Sequence, residues 1–325
     1  MNFLAIFFAV SAAFVGFIYY AMNECKSFTI DYSNAASKII VITGANSGLG
    51  YQTALELAKA KAHVVMACRN AGRCNKAKDV ILVVVPDATV TTLELDLGSL
   101  AFVRHFAAVV KEQFDHVDVL INNAGIMANP TREVTVDGLE SQVGTNHFGH
   151  FLLTALLYPI LAPNARIINH SSEAHRFATS NFPFEDLQSE VKYDPWVAYG
   201  NSKLANLLFT YALNERLAAS GNPKHIVSIA VHPGYTATNL QKDRVPFYEM
   251  MNSFLAMDVK DGALSQLYAA VDPQASASVN TYLGPRFSML GKPAVQVTSA
   301  MAAKKEAQDQ LWEVSEQLTG TAFAL

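Results

Sequence analysis

The chain is poor in cysteine, has no block of basic residues, and carries no charge over a long stretch near its beginning. Cysteine occurs three times in 325 residues, at Cys25, Cys68 and Cys74, an odd number with no CxxC pair and no Cys/His cluster. That pattern excludes a secreted-type disulfide framework and a structural zinc site, and it leans toward a reducing compartment. The formal net charge is −4, and lysine and arginine form no stripe. A nucleic-acid partner, which asks for clustered cations, is excluded. The pattern Asn169-His170-Ser171 is the one permitted Asn-x-Ser/Thr acceptor, but it falls in a segment that reads as a core strand, so no glycan is expected there.

The charge-free stretch, Phe3–Met22, reads FLAIFFAVSAAFVGFIYYAM and accounts for the positive mean hydropathy of +0.17. About 20 residues at ~1.5 Å each cover ~30 Å, the hydrocarbon thickness of a bilayer. Tyr19 and Tyr20 lie near its end, where amphipathic rings favour the headgroup layer. A cleaved secretory signal would show a basic beginning, a shorter apolar core and well-placed small residues. A buried core helix would not normally precede the first strand of the fold read below. The expectation is therefore a single transmembrane anchor over 1–23, a polar linker over 24–37 and a folded domain over 38–325. Glu24 and Lys26 cancel, so flanking charge assigns no orientation to the anchor.

Beyond residue 37 strands and helices alternate. Strands are expected at Lys38–Thr43, His63–Ala67, Val90–Leu95, Val117–Ile121, Ala165–Asn169 and Ile226–Val231. Helices are expected at Leu49–Ala60, Asn70–Val84, Leu100–Gln113 and Ser202–Ala219, with another around Leu311-Trp312-Glu313. This alternation means βαβ units and a parallel sheet covered on both faces. The fold class is α/β, one doubly wound domain. The second helix ends in Val80-Ile81-Leu82-Val83-Val84-Val85, apolar all round. Full packing inside the protein is the expected reading, and contact with a membrane surface the alternative.

After the first strand comes Thr43-Gly44-Ala45-Asn46-Ser47-Gly48-Leu49-Gly50, then a helix. Gly44 suits the tight turn, Gly48 lets backbone approach a pyrophosphate, and Gly50 lets helix lie close on strand. Asn46, Ser47 and Leu49 complete a loop whose helix N-terminus would hold the phosphates. The spacing is TGxxxGxG rather than the GxGxxG of most Rossmann dinucleotide enzymes. In this it resembles the short-chain dehydrogenase/reductase superfamily. Asn122-Asn123-Ala124-Gly125 after the fourth strand and Leu95-Asp96-Leu97 after the third resemble further family segments. The resemblance implies that Asn123, Ala124 and Gly125 support the adenosine half and that Asp96 and Leu97 lie beside the adenine.

Where the second strand ends, a site for NAD places Asp or Glu on the ribose 2′-OH, whereas Arg accommodates a 2′-phosphate. The residues here are Ala67-Cys68-Arg69-Asn70. With no carboxylate available and Arg69 able to bind phosphate bidentately, the expected cofactor is NADP(H).

Reducing a carbonyl by hydride needs a proton donor at the developing alkoxide. A phenol titrates near ~10, and a neighbouring ammonium favours its ionised form. Tyr199 and Lys203, four apart on a helical segment, form such a pair. The family resemblance adds Ser172, whose hydroxyl would steady the substrate oxygen, and Asn146, through which relatives organise a water and a proton path to the lysine. Ser171 is then a packing residue. Pro233, Gly234, Thr236 and Thr238 resemble the segment that meets the nicotinamide carboxamide and phosphates. His147 and His150, three apart, sit in apolar surroundings that favour core or interface roles over metal ligation.

The segment Arg176–Trp196 lengthens the interval between Ser172 and Tyr199, and with Gly200-Asn201-Ser202-Lys203-Leu204 it resembles retinol dehydrogenases and the related protochlorophyllide reductases. A second wall is expected from Pro246, Phe247, Tyr248, Met250, Met251, Phe254, Leu255 and Met257, either as an adaptable apolar pocket or as ordinary helix packing. The C-terminal part departs from the vertebrate retinol enzymes. The activity expected by resemblance is hydride exchange between NADP(H) and an apolar carbonyl or alcohol: a retinoid, a steroid or another lipid. Carbon–carbon double-bond reduction and a non-catalytic NADP-binding protein are the alternatives. The resemblance also implies an endoplasmic-reticulum membrane location and a homodimer paired through its fifth and sixth helices.

Overall fold

β-Branched runs become strands where both of their faces are covered. The structure, a computed structural model, describes residues 3–178, 182–236, 256–276 and 280–325, without the side chains of 3–11 and 14. Its eight-stranded sheet has the order β3-β2-β1-β4-β5-β6-β7-β8. The strands are β1 (Ile39–Thr43), β2 (His63–Cys68), β3 (Thr89–Glu94), β4 (Val117–Asn122), β5 (Leu161–His170), β6 (Val227–Val231), β7 (Tyr282–Pro285) and β8 (Pro293–Val295). The first seven pair in parallel, and β8 runs antiparallel to β7. The helices around them are α1 (Phe3–Ser27), α2 (Gly48–Lys59), α3 (Ala71–Val84), α4 (Leu100–Gln113), α5 (Ser141–Val143), α6 (Gly149–Leu157), α7 (Pro195–Ala219), α8 (Val259–Val271) and α9 (Lys305–Thr319). One core lies between the sheet and α2, α3 and α8, the other between the sheet and α4, α6 and α7. The doubly wound reading holds. Asn169 sits in β5 as read, buried, with its amide nitrogen given to Thr210 and Ser228 at 3.0 Å each.

The described residues do not support the expected transmembrane anchor. Among the described residues no helix is long and apolar enough to cross a membrane. Residues 3–22 do fall in a helix, but that helix continues to Ser27, past the expected end of the anchor, and its last turns belong to the protein. Ala21 and Cys25 are buried against Met257 and Leu290. Phe17 packs edge-on against Phe287 at 4.9 Å, and Glu24 pairs with Arg286 at 2.8 Å.

The fully packed reading of α3 is corrected too. Cys74, Ala77, Ile81 and Val85 form a buried stripe, while Val80, Val83 and Val84 are 52%, 81% and 54% exposed. A helix lying on one face of a sheet can bury only one stripe, whatever its other sides carry. The sequence did not anticipate that Cys68 and Cys74 are joined in a single disulfide, which ties the end of β2 to the first turns of α3. Cys25 is free and buried.

The helices expected to pair across a dimer carry a cover of their own chain. Trp312 of α9 meets Phe151 of α6 edge-on at 5.3 Å and lies 6.0 Å from Phe209 of α7, with Phe323 of the tail 5.1 Å beyond it. Arg216 stacks on Trp312 at 4.3 Å and pairs with Asp309 at 2.9 Å.

Candidate active site

In open parallel sheets ligands bind beyond the carboxyl ends of the strands, where the winding direction reverses. Here that switch lies between β1 and β4, and a cavity of about 1110 Å³ opens there. Its wall includes Gly44, Asn46, Ser47, Gly48, Leu49, Gly50, Arg69, Asp96, Leu97, Asn123, Ala124, Gly125, Ser172, Tyr199, Lys203, Pro233, Gly234 and Thr236. All of these except Tyr199 and Lys203, which lie on α7, follow the ends of six separate strands. Asn146 stands behind this wall, next to the lining residue Thr145. Thr238 lies outside the described residues, as do Pro246, Phe247, Tyr248, Met250, Met251, Phe254 and Leu255. Met257 is described, and packs under α1.

The glycine loop fits a dinucleotide phosphate on structural grounds. Gly44 and Gly48 have φ of +68° and +55°, in the left-handed region that favours glycine. A side chain on Gly50 would meet the Gly44 carbonyl at 2.5 Å and the Asn123 amide at 2.6 Å. Ser47 precedes α2 without making a side-chain cap bond, so the first N–H groups of that helix face the cavity without a capping side chain. At the far end Arg69, Asn70 and Arg73 line the wall, and Asn70 caps α3 by accepting from the Arg73 amide at 2.8 Å. This cap presents both arginines at the end of β2. Arg73 was not singled out from sequence, although its place in the first turn of α3 was legible.

Behind the loop lies a hub that sequence reasoning missed. The Thr43 hydroxyl accepts from the amides of Asn123 and Ala124 at 2.9 Å each, and the Asn123 side chain donates to the Thr43 carbonyl at 2.7 Å. The same hydroxyl contacts His150 Nε2 at 2.9 Å, while His150 Nδ1 donates to the Asn146 carbonyl at 3.0 Å. Burial holds His150 at about 4, so it is neutral, and the carbonyl on Nδ1 assigns the proton to that nitrogen. His147 instead reaches Ser315 of α9 at 2.8 Å. Each histidine has its own partner.

Asn146 lies in a π-helical turn, Gly144–Phe148, that re-aims its side chain. Its amide accepts from the Ile126 N–H at 2.8 Å and donates to the Ile126 carbonyl and the Ser202 hydroxyl, both at 2.9 Å. A side chain on Gly125 would come within 3.1 Å of Asn146 Oδ1 and 3.5 Å of Lys203 Nζ, so these two groups flank one glycine.

Asp194 caps α7 by accepting from the amides of Trp196 and Val197, so the helix begins at Pro195 and carries both Tyr199 and Lys203. Lys203 Nζ donates to the His170 carbonyl at 3.2 Å and lies 5.6 Å from the Tyr199 ring centroid. Ser172 hydrogen-bonds the Tyr199 phenol, whereas the Ser171 hydroxyl donates to the Lys203 carbonyl at 2.8 Å, a packing role. Burial pushes the phenol up to about 12, offset in part by Ser172, and pushes the Lys203 amine down to about 8. Desolvation, not the expected pull of Lys203, dominates the phenol. On the substrate side the wall is apolar: Ile126, Met127, Phe177, Trp196, Tyr235 and Met289, with Glu173 and Arg176 at one edge.

Residues 38–184 match the family model of the short chain dehydrogenases. Mouse retinol dehydrogenase 13 is 39% identical over 319 residues, covering 94% of this chain and 90% of its own. Human retinol dehydrogenase 12 is 37% identical over 287 residues, covering 87% and 86%. The crystal structure of an uncharacterized protein from Mycobacterium paratuberculosis superposes with a TM-score of 0.76 at 41% identity, covering 91% of this chain and 98% of that one. The chain belongs to the short-chain dehydrogenase/reductase family and is a retinol dehydrogenase-like oxidoreductase.

Proposed function

We propose that the chain interconverts an apolar aldehyde or ketone and its alcohol, with NADP(H) as the redox partner and Tyr199 as the proton donor and acceptor. The observation that carries this reading is one cavity with Ser172, Tyr199 and Lys203 at one end and Arg69 and Arg73 at the other. No carboxylate follows β2 to claim a ribose 2′-OH. NADP(H), when bound, supplies or takes up the hydride. Gly44–Gly50 and the N-terminus of α2 would hold its pyrophosphate, Arg69 and Arg73 its 2′-phosphate, and Asp96, Leu97 and Asn123–Gly125 its adenosine half. Pro233, Gly234, Thr236 and Thr238 would meet the nicotinamide end.

Ser172 and Tyr199 would bind the substrate oxygen together. In reduction the phenol gives its proton to the oxygen as it becomes an alkoxide, and in oxidation it takes that proton back. A phenol near 12 is fully protonated at neutral pH, the form required of a donor. Lys203, close to its ionisation point near pH 8, can replace that proton. Asn146 would hold the Gly125–Ile126 backbone beside the Lys203 amine. Phe177, Trp196 and Met289 suit an apolar substrate, and retinal enters the test because two relatives carry the name retinol dehydrogenase.

Membrane association belongs to the proposal in a weaker form than a span. The charge-free run ahead of Phe17, which has no polar face, would bury its apolar side chains in lipid. Flotation with phospholipid vesicles checks it: the full chain floats and a chain without residues 1–16 does not. An endoplasmic-reticulum location and a homodimer rest on the family resemblance alone.

The experiment that tests the function is NADPH oxidation against retinal, long-chain aldehydes and steroid ketones, with Tyr199→Phe alongside. Turnover by the native chain and at least a 100-fold loss in the variant is the expected result. Equal inertness of both with NADPH still bound would sink the carbonyl reading and favour double-bond reduction or a non-catalytic role.

A further inference from the structure

Two buried polar atoms beside the cavity face each other with no other partner. They are Glu173 Oε1 and His232 Nε2, 3.6 Å apart, and among the described residues neither makes a hydrogen bond. Each belongs to a residue adjacent to a wall of the site. Glu173 follows Ser172 and itself lines the cavity, and His232 precedes the lining residues Pro233 and Gly234.

The His232 ring is 1% exposed and held on several sides. It lies on the Tyr282 ring, centroids 4.9 Å apart, and over Gly284, where a side chain would meet Nε2 at 1.8 Å. Its Nδ1 accepts from the Gly234 N–H at 3.3 Å. A backbone N–H can only donate, so Nδ1 carries the lone pair and the imidazole proton sits on Nε2, aimed at Glu173. The other Glu173 oxygen accepts from Arg176 Nε at 2.8 Å, which fixes the carboxylate in turn. Gly234 has φ +67°, and the next amide, that of Tyr235, donates to the Met289 carbonyl at 3.0 Å. The turn is thus tied to His232 on one side and to Met289 on the other.

We propose that Glu173 and His232 are positioning residues forming a latch, which fixes the Gly234 turn relative to the wall that carries Ser172. The proposal rests on the carbonyl–NADP(H) reading above, because it assigns that turn to the nicotinamide and that wall to the substrate oxygen. Neither residue touches the reacting atoms. Their effect is to hold donor and acceptor carbons in register, the kind of alignment whose loss by about 1 Å costs on the order of 100-fold in rate. Cofactor affinity, dominated by the phosphate and adenosine contacts at the other end of the cavity, is left alone.

The test combines kcat, NADPH dissociation constants and bound-nicotinamide fluorescence for Glu173→Ala, His232→Asn and the double variant. Asparagine keeps an acceptor for the Gly234 N–H but offers nothing to Glu173. Each single change is expected to lower kcat by about 10- to 100-fold with the NADPH constant moved less than about 3-fold. The double variant falls no further than the worse single, because the two residues act as one unit. Glu173→Gln, which retains an acceptor for Nε2–H, keeps more of kcat than Glu173→Ala. Gly284→Ala, outside the cavity wall, displaces the ring from behind and reproduces the His232→Asn split; if it does not fold, the Glu173/His232 pair decides alone. Losses that multiply in the double variant, NADPH constants that rise in step with kcat, or an unchanged kcat would each overturn the latch. A native chain inert toward every carbonyl overturns the functional reading instead. The latch is then read from nicotinamide fluorescence at saturating NADPH, which the variants change if the latch holds the turn and leave unchanged if it does not.

Discussion

Acidification should unfold this protein well before its carboxylates titrate, because four buried histidines must stay neutral in the folded chain. Burial holds His147, His170 and His232 at about 3 and His150 at about 4, against an ordinary value of 6.5. In the unfolded chain all four bind protons as pH falls through 6.5, while the folded chain refuses them. Their stabilisation is therefore fully present above about pH 6.5 and is lost progressively as pH falls toward the folded values. At pH 5.5 each unfolded imidazole is about nine-tenths protonated, which costs the folded state ~1.4 kcal/mol per histidine and ~6 kcal/mol for four. Native proteins hold only ~5–15 kcal/mol in total. The melting temperature, followed by circular dichroism, should drop by roughly 8 °C between pH 7.5 and pH 5.5. His147→Asn should lower the melting point at pH 7.5, through loss of the Ser315 contact, yet remove about a quarter of the pH dependence. A melting temperature that moves by less than about 3 °C over this range would refute the reasoning.

Three further outcomes follow from particular contacts. Arg69→Ala should weaken NADPH binding by about 10- to 30-fold and NADH binding by less than about 3-fold, since one charge-assisted hydrogen bond to phosphate is worth ~1.5–2 kcal/mol. Fluorescence titration with both cofactors measures this, and equal loss for the two would contradict the phosphate assignment. Trp312→Ala should cost ~3–5 kcal/mol in urea unfolding. Reductant or Cys74→Ser should lower stability by ~2 kcal/mol through loss of the Cys68–Cys74 link, and an unfolding curve unchanged by either would argue that the thiols are not joined.

The strands and cofactor loop were legible because their signals are local. KIIVIT, HVVMA and VDVLI are short, β-branched and bounded by turn residues, and both faces of each strand are buried as such runs require. The glycine spacing 44–50 declares its own turn. The start of α7 was placed seven residues late, at Ser202 rather than Pro195, although Asp194 followed by Pro195 is a cap signal that could have been read. Other features depend on pairings across the chain that no local pattern encodes. Thr43 and His150 are 107 positions apart, and Arg286 reaches Glu24 across 262. Residues 3–22 are charge-free in sequence, yet only the structure shows the following turns committed to β7 and its loop. The apolar end of α3 reads identically whether buried or exposed, since periodicity cannot say how many sides a neighbour covers.

The most direct test of the central claim is deuteride transfer from [4-²H]NADPH, run with the best carbonyl substrate and followed by mass spectrometry and NMR of the product. The account predicts an alcohol with one deuterium on the former carbonyl carbon, formed at least 100-fold more slowly by Tyr199→Phe. Deuterium on a former double-bond carbon, or product formation that is indifferent to Tyr199, would contradict it.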